Sequence, residues 1–250
     1  MKMTGLINKL LKPFKYSLKK ENAAEHVQDI YADAGFMAVY EQVRASTMTS
    51  IERMYSLYQS IHYIVKQNIP GDFVECGVWK GGSSMIIALT LKQLGAGNRT
   101  IYMYDTFEGM SEPTENDKDI YGTTAEKLLN EHGKEEAIWC YSTLDEVKDN
   151  MRRTGYPMDK IVFAKGKVEE TIPGTIPQQI ALLRLDTDWY ESTLHELTHL
   201  FPLLSRRGVL ILDDYGHWQG ARKAVDEYFA SGENILLNRI DYTGRIAVKS

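Results

Sequence analysis

The sequence predicts a doubly wound, mostly parallel α/β sheet with a terminal antiparallel hairpin and an N-terminal helical cap. Three observations predict it. From residue 72 onward, short apolar runs alternate with helix-length amphipathic segments, the pattern of successive βαβ units. A glycine turn, Gly77-Val78-Trp79-Lys80-Gly81-Gly82, joins the first run to its helix. Two later runs, Ile180–Leu185 and Val209–Leu212, each close in acids, Asp186-Thr187-Asp188 and Asp213-Asp214. Runs this short and apolar read as buried parallel strands.

The elements follow in order. Residues 1–20 hold Lys2, Lys9, Lys12, Lys15, Lys19 and Lys20 with no acid among them, while Leu6, Ile7, Leu10, Leu11, Phe14 and Leu18 recur at near-helical spacing. One expectation is a weak contact with an anionic membrane surface; the other is an amphipathic helix packed on the body or on another subunit. Pro13 interrupts either helix. Residues 21–66 read as helices. Thr49 and Glu52 have the spacing of a capping box, and Met54, Leu57, Ile61, Ile64 and Val65 form an apolar stripe behind it.

Then come the strand Phe73–Cys76, the helix Ser83–Leu94 and the strand Thr100–Tyr104, which ends at Asp105. The polar stretch Ser111–Pro157 contains helical patches at Thr124–Glu131 and Leu144–Arg152. Strands resume at Ile161–Ala164, Ile180–Leu185 and Val209–Leu212, the last two followed by the helices Ser192–Leu204 and Gly220–Ala230. Ile235–Arg239 and Thr243–Val248 form the terminal hairpin. The chain divides into a cap, 1–69, and a ligand-binding domain, 70–250, with a lid insertion at 111–157 where Tyr121, Trp139 and Tyr141 offer stacking faces.

Composition narrows the function. With 43% hydrophobic and 25% charged residues in 250, the chain is an ordinary globular protein. A net charge of -5 argues against a nucleic-acid partner. Cys76 and Cys140 are too few for a disulfide framework, and no run is long enough to span a bilayer. A cytoplasmic protein, at most peripheral to the membrane and assembling with copies of itself, is expected.

Carboxylates placed just past buried strands lie on the ligand-binding edge of an open α/β sheet. Four aspartates converging there repel unless a cation or a protonatable substrate joins them. The glycine turn admits a close ligand at a helix N-terminus, and Asp105 stands where ribose hydroxyls are bound. Together they favour an adenosine-containing ligand. Trp79 occupies the place of a second glycine, so the dinucleotide fingerprint G-x-G-x-x-G is missing and a nicotinamide cofactor is disfavoured. S-adenosylmethionine, which has no phosphate, suits the turn better.

His195-Glu196-Leu197-Thr198-His199 matches the zinc-hydrolase pattern H-E-x-x-H. Helical geometry opposes it: Leu194, Leu197, Leu200, Phe201 and Leu204 share one face, and both histidines fall opposite, towards solvent. His217, just past the second acidic cluster, is a candidate base or substrate contact.

Val74-Glu75-Cys76-Gly77-Val78-Trp79-Lys80-Gly81-Gly82, Asp105-Thr106-Phe107-Glu108-Gly109, Arg184-Leu185-Asp186-Thr187-Asp188-Trp189-Tyr190-Glu191-Ser192-Thr193 and Asp213-Asp214-Tyr215-Gly216 together resemble the macrocin O-methyltransferase family. These motifs span roughly residues 47–230. The resemblance implies a class I methyltransferase fold, S-adenosylmethionine, a divalent cation, usually Mg2+, and methyl transfer to a hydroxyl, commonly on a sugar of a natural product or surface glycan. It implies Asp186, Asp213 and Asp214 as metal ligands, and Asp188 or His217 as the base. Cofactor contacts are implied at Glu75, Gly77 and Asp105, with Thr47 and Met48 before the capped helix. Lys80, Gly81, Ser83, Thr106, Phe107, Gly166, Lys167, Val168 and Asp186 complete that set. A non-catalytic nucleotide-binding protein of the same fold is the alternative.

Overall fold

The computed structural model describes residues 27–133, 136–230, 232 and 235–250. The basic segment 1–20, and the membrane contact expected of it, lie outside the described residues. Helices α1 (Gln28–Ala32), α2 (Ala34–Val43) and α3 (Ile51–Lys66) come first, with a 3-10 turn at Arg44–Ser46. The cap of α3 differs by one residue from the expected Thr49. Ser50 is the N-cap, and its Oγ accepts from the Arg53 amide at 3.2 Å. Either hydroxyl could cap the helix. Ser50 also donates to Asp241 Oδ2 at 2.6 Å, and this tertiary bond selects the frame. Glu52 remains in the first turn, where a negative charge favours the helix dipole.

Seven strands form one sheet: β1 (Asp72–Cys76), β2 (Ile101–Asp105), β3 (Ile161–Lys165), β4 (Ile180–Leu185), β5 (Leu204–Leu212), β6 (Asn238–Arg239) and β7 (Arg245–Val248). Their order is β3-β2-β1-β4-β5-β7-β6, parallel except that β7 runs antiparallel to β5 and to β6. The expected doubly wound sheet is present. Its hairpin is shorter than expected, since residues 235–237 do not join it. Strand order reverses between β1 and β4, so a crevice opens above their carboxyl ends.

Helices α4 (Gly82–Gln93), α5 (Ala125–Asn130), α6 (Leu144–Arg153), α7 (Val168–Thr171), α8 (Tyr190–Leu200) and α9 (Gln219–Ala230) complete the layers. The helix expected to run to Leu204 stops at Leu200. Pro202 lacks the amide that an α-helix needs, so the chain closes in a 3-10 turn at Phe201–Leu203 and enters β5 at Leu204.

Strand residues alternate between two cores. Phe73, Leu182, Val209 and Ile211 pack with α2, α3, α4 and α6. Val74, Cys76, Leu183, Leu185, Leu210 and Leu212 pack with α8 and α9. Residues 27–69 therefore share a core with the sheet. Stretch 111–157 is tied down at several points. Asp117 Oδ1 accepts from the Tyr190 amide at 2.8 Å, Trp189 Nε1 donates to Ser111 O at 3.1 Å, and Gln219 N donates to Lys118 O at 2.8 Å. Ala125, Leu129, Trp189, Trp218 and Ala221 form a third cluster beneath it.

The cap assignment is open to a direct check. Ser50→Ala should lower unfolding free energy by about 1–2 kcal/mol, the usual loss for a capping hydroxyl. Thr49→Ala, which removes only the long 3.4 Å bond from Arg184 Nη2, should cost less than Ser50→Ala. Urea denaturation of both variants measures the difference, and equal losses would return the cap to Thr49.

Candidate active site

The sheet face that packs α3 and α4 is apolar in its lower rows and charged at its carboxyl edge. Register explains the change. Phe73 lies beside Leu182, and two residues further on Glu75 lies beside Arg184. Arg184 is 2% exposed and Glu75 1%. A guanidinium that deep must be paired. Arg184 Nη1 binds Glu75 Oε1 at 2.8 Å and Asp186 Oδ2 at 2.7 Å, while Nη2 binds Asp213 Oδ1 at 2.6 Å. Burial works against its charge, and the three carboxylates outweigh burial, so its pKa rises well above the ordinary value. A second arginine, Arg53 of α3, binds Asp213 Oδ2 and reaches Asp241 Oδ2 at 2.9 Å. Ser84 Oγ donates to the remaining oxygen of Glu75.

Two guanidiniums do not balance the acids around them. Asp186, Asp213 and Asp214 each place an oxygen within 4.8 Å of the others. Burial pushes the Asp186 and Asp214 carboxyls up, and repulsion from neighbouring aspartates adds to it. Asp188 is pushed up to about 7, by burial first and then by Asp186 and Asp213. Three hard oxygen donors with unsatisfied negative charge form a donor set that suits a small divalent cation. Asp213 keeps lone pairs beyond those its arginines use. Asp186 and Asp188 do not lie along one extended strand. Asp188 has φ +66°, a left-handed turn, and its amide donates to Asp214 Oδ2 at 3.2 Å.

The glycine turn stands beside these acids. Gly77 has φ +80°, and a Cβ there would lie 1.9 Å from the carbonyl oxygen of Asp186. Only glycine lets β1 pass that close to the loop after β4. Gly82 plays a similar part at the start of α4, where a Cβ would lie 2.5 Å from Ser46 O. That contact brings Thr47 and Met48 against the turn. Asp105 has a role the sequence did not suggest. Its Oδ2 accepts from the Val78 and Trp79 amides at 2.6 and 3.1 Å, and its Oδ1 from Phe107 N at 2.6 Å. It clamps the turn as well as facing the cleft.

One cleft brings together Thr47, Met48, Glu75, Gly77, Ser83, Asp105, Thr106, Gly166, Lys167, Val168, Asp186, Asp188, Asp213 and Asp214. Four expected residues fall outside its lining. Lys80 turns outward to Glu146 at 3.6 Å, and Gly81 caps α4 against Val147. Phe107 is buried against Phe163. His217 lines a separate surface groove with Tyr215 and Arg222, its Nδ1 is 2.9 Å from the Tyr242 hydroxyl, and burial lowers its pKa.

The zinc reading fails on geometry. His195 Nε2 lies 2.9 Å from Ile172 O and His199 Nδ1 2.9 Å from His195 O, so both rings are engaged with backbone. Both are half-buried and stacked on each other rather than left to solvent. Arg184, Arg53 and Glu196 were missed. The first had a visible signal, a lone arginine inside an otherwise apolar strand.

The family model described as Macrocin-O-methyltransferase (TylF) matches residues 8–247. An 8-demethyl-8-(2,3-dimethoxy-alpha-L-rhamnosyl)-tetracenomycin-C 4'-O-methyltransferase from Streptomyces olivaceus is 35% identical, over 80% of this chain and 74% of its own. A mycinamicin III 3''-O-methyltransferase from Micromonospora griseorubida is 31% identical, over 82% and 81%. The solved structure of the O-methyltransferase NovP superposes with a TM-score of 0.72 at 30% identity, covering 82% of each chain. The family model spans the cleft, both acidic clusters and the whole sheet, and the chain belongs to the macrocin O-methyltransferase family and is a methyltransferase.

Proposed function

We propose that this chain transfers the methyl group of S-adenosylmethionine to a sugar hydroxyl of a natural product, with a divalent cation, Mg2+, at Asp186, Asp213 and Asp214. The observation that carries the reading is the crowding of Asp186, Asp188, Asp213 and Asp214 beside a glycine turn in one cleft. The relatives' names, one specifying the 4' position of a rhamnosyl tetracenomycin and the other the 3'' position of mycinamicin III, support the acceptor class. When bound, the cofactor supplies an activated sulfonium methyl, and the cation supplies positive charge that orients and acidifies the acceptor hydroxyl.

The residues divide the remaining work. Gly77, Ser83 and Asp105 shape the cofactor side of the cleft, with Thr47 and Met48 against the turn and Gly166, Lys167 and Val168 across from it. Arg184 and Arg53 hold Asp213, and Arg184 holds Asp186, so those carboxylates keep their places before any ligand arrives. Asp188 takes the hydroxyl proton as the oxygen–carbon bond forms and the sulfur–carbon bond breaks. Unlike Asp186 and Asp213, it makes no ion pair with an arginine among the described residues, and its carboxyl is pushed up to about 7 by burial. His217 belongs to another groove, so the base role falls to Asp188.

Asp186→Asn should abolish metal-dependent methyl transfer while leaving S-adenosylhomocysteine affinity within about threefold, the asymmetry expected if its carboxylate serves the metal and only its backbone borders the cofactor. Calorimetry and turnover measure the two effects; full activity in EDTA would sink the metal assignment. Asp188→Asn should lower kcat by about 10²–10⁴, the range for loss of a general base. His217→Ala should leave it near the wild-type value, and the reverse ranking would move the base to His217.

Linkage sets a pH prediction. Asp186, Asp188, Asp214 and Glu75 all have folded-state pKa values raised above those of the unfolded chain. Between the two values the folded state binds more protons, so ligand-free stability falls as pH rises. A cation competes with those protons and gains affinity over the same range. The Tm increase on adding Mg2+ should therefore be larger at pH 8 than at pH 6. Thermal scans with and without Mg2+ test it, and a pH-independent increase would contradict the assignment.

A further inference from the structure

The H-E-x-x-H segment does not bind a metal through its histidines, yet its glutamate is turned the other way. Glu196 is 0% exposed, beneath the loop that joins β4 to α8. Thr187 Oγ1 donates towards both of its oxygens, at 3.0 and 3.2 Å. Cys76, at the end of β1, is close enough to the same carboxyl for each to raise or lower the other's pKa. An apolar side chain would fill a buried helix position without the desolvation cost of an acid. Something must be gained from the hydrogen bonds.

Thr187 is flanked by Asp186 and Asp188. We propose that Glu196 is a positioning residue that grips Thr187 and so fixes Asp186 and Asp188 in the geometry that binding and proton transfer require. This rests on the reading of Asp186 as a ligand and Asp188 as the base.

Three observations support it. Asp188 turns at φ +66°, a left-handed conformation that aspartate tolerates, and its amide is held there by Asp214 Oδ2 at 3.2 Å. The neighbouring turn is closed by Trp189 N donating to Thr187 O at 2.7 Å, so Thr187 is tied at its carbonyl and its hydroxyl alike. The other side of the loop is tied to β1, because Asp186 N donates to Cys76 O at 2.9 Å. Glu196 thus grips, through Thr187, a loop whose first residue is itself tied to β1. Burial pushes its carboxyl well up, and the charges of Glu169 and Asp214 add to that effect. A glutamine in its place keeps an amide oxygen that can accept from the Thr187 hydroxyl.

The test uses the full chain loaded with S-adenosylhomocysteine. Mg2+ affinity is measured by calorimetry, and amide hydrogen exchange is followed at Asp188 and Trp189, in wild type, Thr187→Val, Glu196→Ala and Glu196→Gln. Thr187→Val and Glu196→Ala should weaken Mg2+ binding about tenfold, as loss of an outer partner of a ligand does. They should speed exchange in the loop and leave S-adenosylhomocysteine affinity unchanged. Glu196→Gln should match wild type in both. Wild-type behaviour of the nearly isosteric Thr187→Val, or a Glu196→Gln as impaired as Glu196→Ala, would overturn the proposal. A wild type that binds no Mg2+ would remove the metal reading alone, and the loop exchange rates would still decide this one.

Discussion

One guanidinium inside a parallel sheet sets the terms for the rest of the molecule. Arg184 lies in the middle of a seven-stranded sheet and is bonded to carboxylates of β1, of the loop after β4 and of the end of β5. Removing either sign from a buried set like this leaves the other uncompensated, at a cost of several kcal/mol. Arginine and acids therefore have to be arranged together. Strand register does this: Glu75 and Arg184 are neighbours across the β1–β4 ladder, and Arg184 is beside Ile211, two residues before Asp213. The charged row sits directly above the apolar row of Phe73 and Leu182, so the core that stabilises the sheet also fixes the height of the site.

The first and last parts of the chain meet at this row. Arg53, in the first turn of α3, joins Asp213 to Asp241 in the turn between β6 and β7, and Ser50 caps the helix while donating to the same Asp241. Two further hydrogen bonds, from Thr243 N and Gly244 N at 3.0 and 2.7 Å, hold Asp241. Its carboxyl is kept below the ordinary range because those bonds and Arg53 outweigh burial. The helical cap and the hairpin are thus coupled to the cluster from opposite ends of the sequence. Residues 111–119 are fastened to the starts of α8 and α9 through Trp189, Tyr190 and Gln219.

The fold was legible because its signals are local. Periods of two and of 3.6, a glycine turn and acids at strand ends placed the parallel strands to within a residue, apart from the start of β5. Errors arose where a distant residue decides a local choice. Ser50 rather than Thr49 caps α3 because Asp241, far along the chain, selects it. The site was legible as a set of acids and illegible as an ion-pair network. Arg184 stood in plain view within a run read as apolar, but its partners come from three strands. His217 looked close to the acids because it follows them in sequence. The chain turns at Tyr215-Gly216, where a Cβ on Gly216 would meet Tyr242 O at 2.1 Å, and the imidazole ends in another groove.

The imbalance of charge also distinguishes the four aspartates. Asp186 and Asp213 bear directly on Arg184, and Asp214 shares a hydrogen bond with Asp188. Asp188 makes no ion pair with an arginine among the described residues, and its carboxyl is pushed up to about 7, by burial first. On the proposed reading, a cation at the other three would relieve the repulsion that keeps protons on the cluster, and Asp188 would then be ionised beside the acceptor hydroxyl. Loading of the site and readiness of the base would be one equilibrium, because both depend on the same uncompensated charge. The arginine that makes the sheet foldable leaves that charge in place, since one guanidinium cannot neutralise every carboxylate that converges on it.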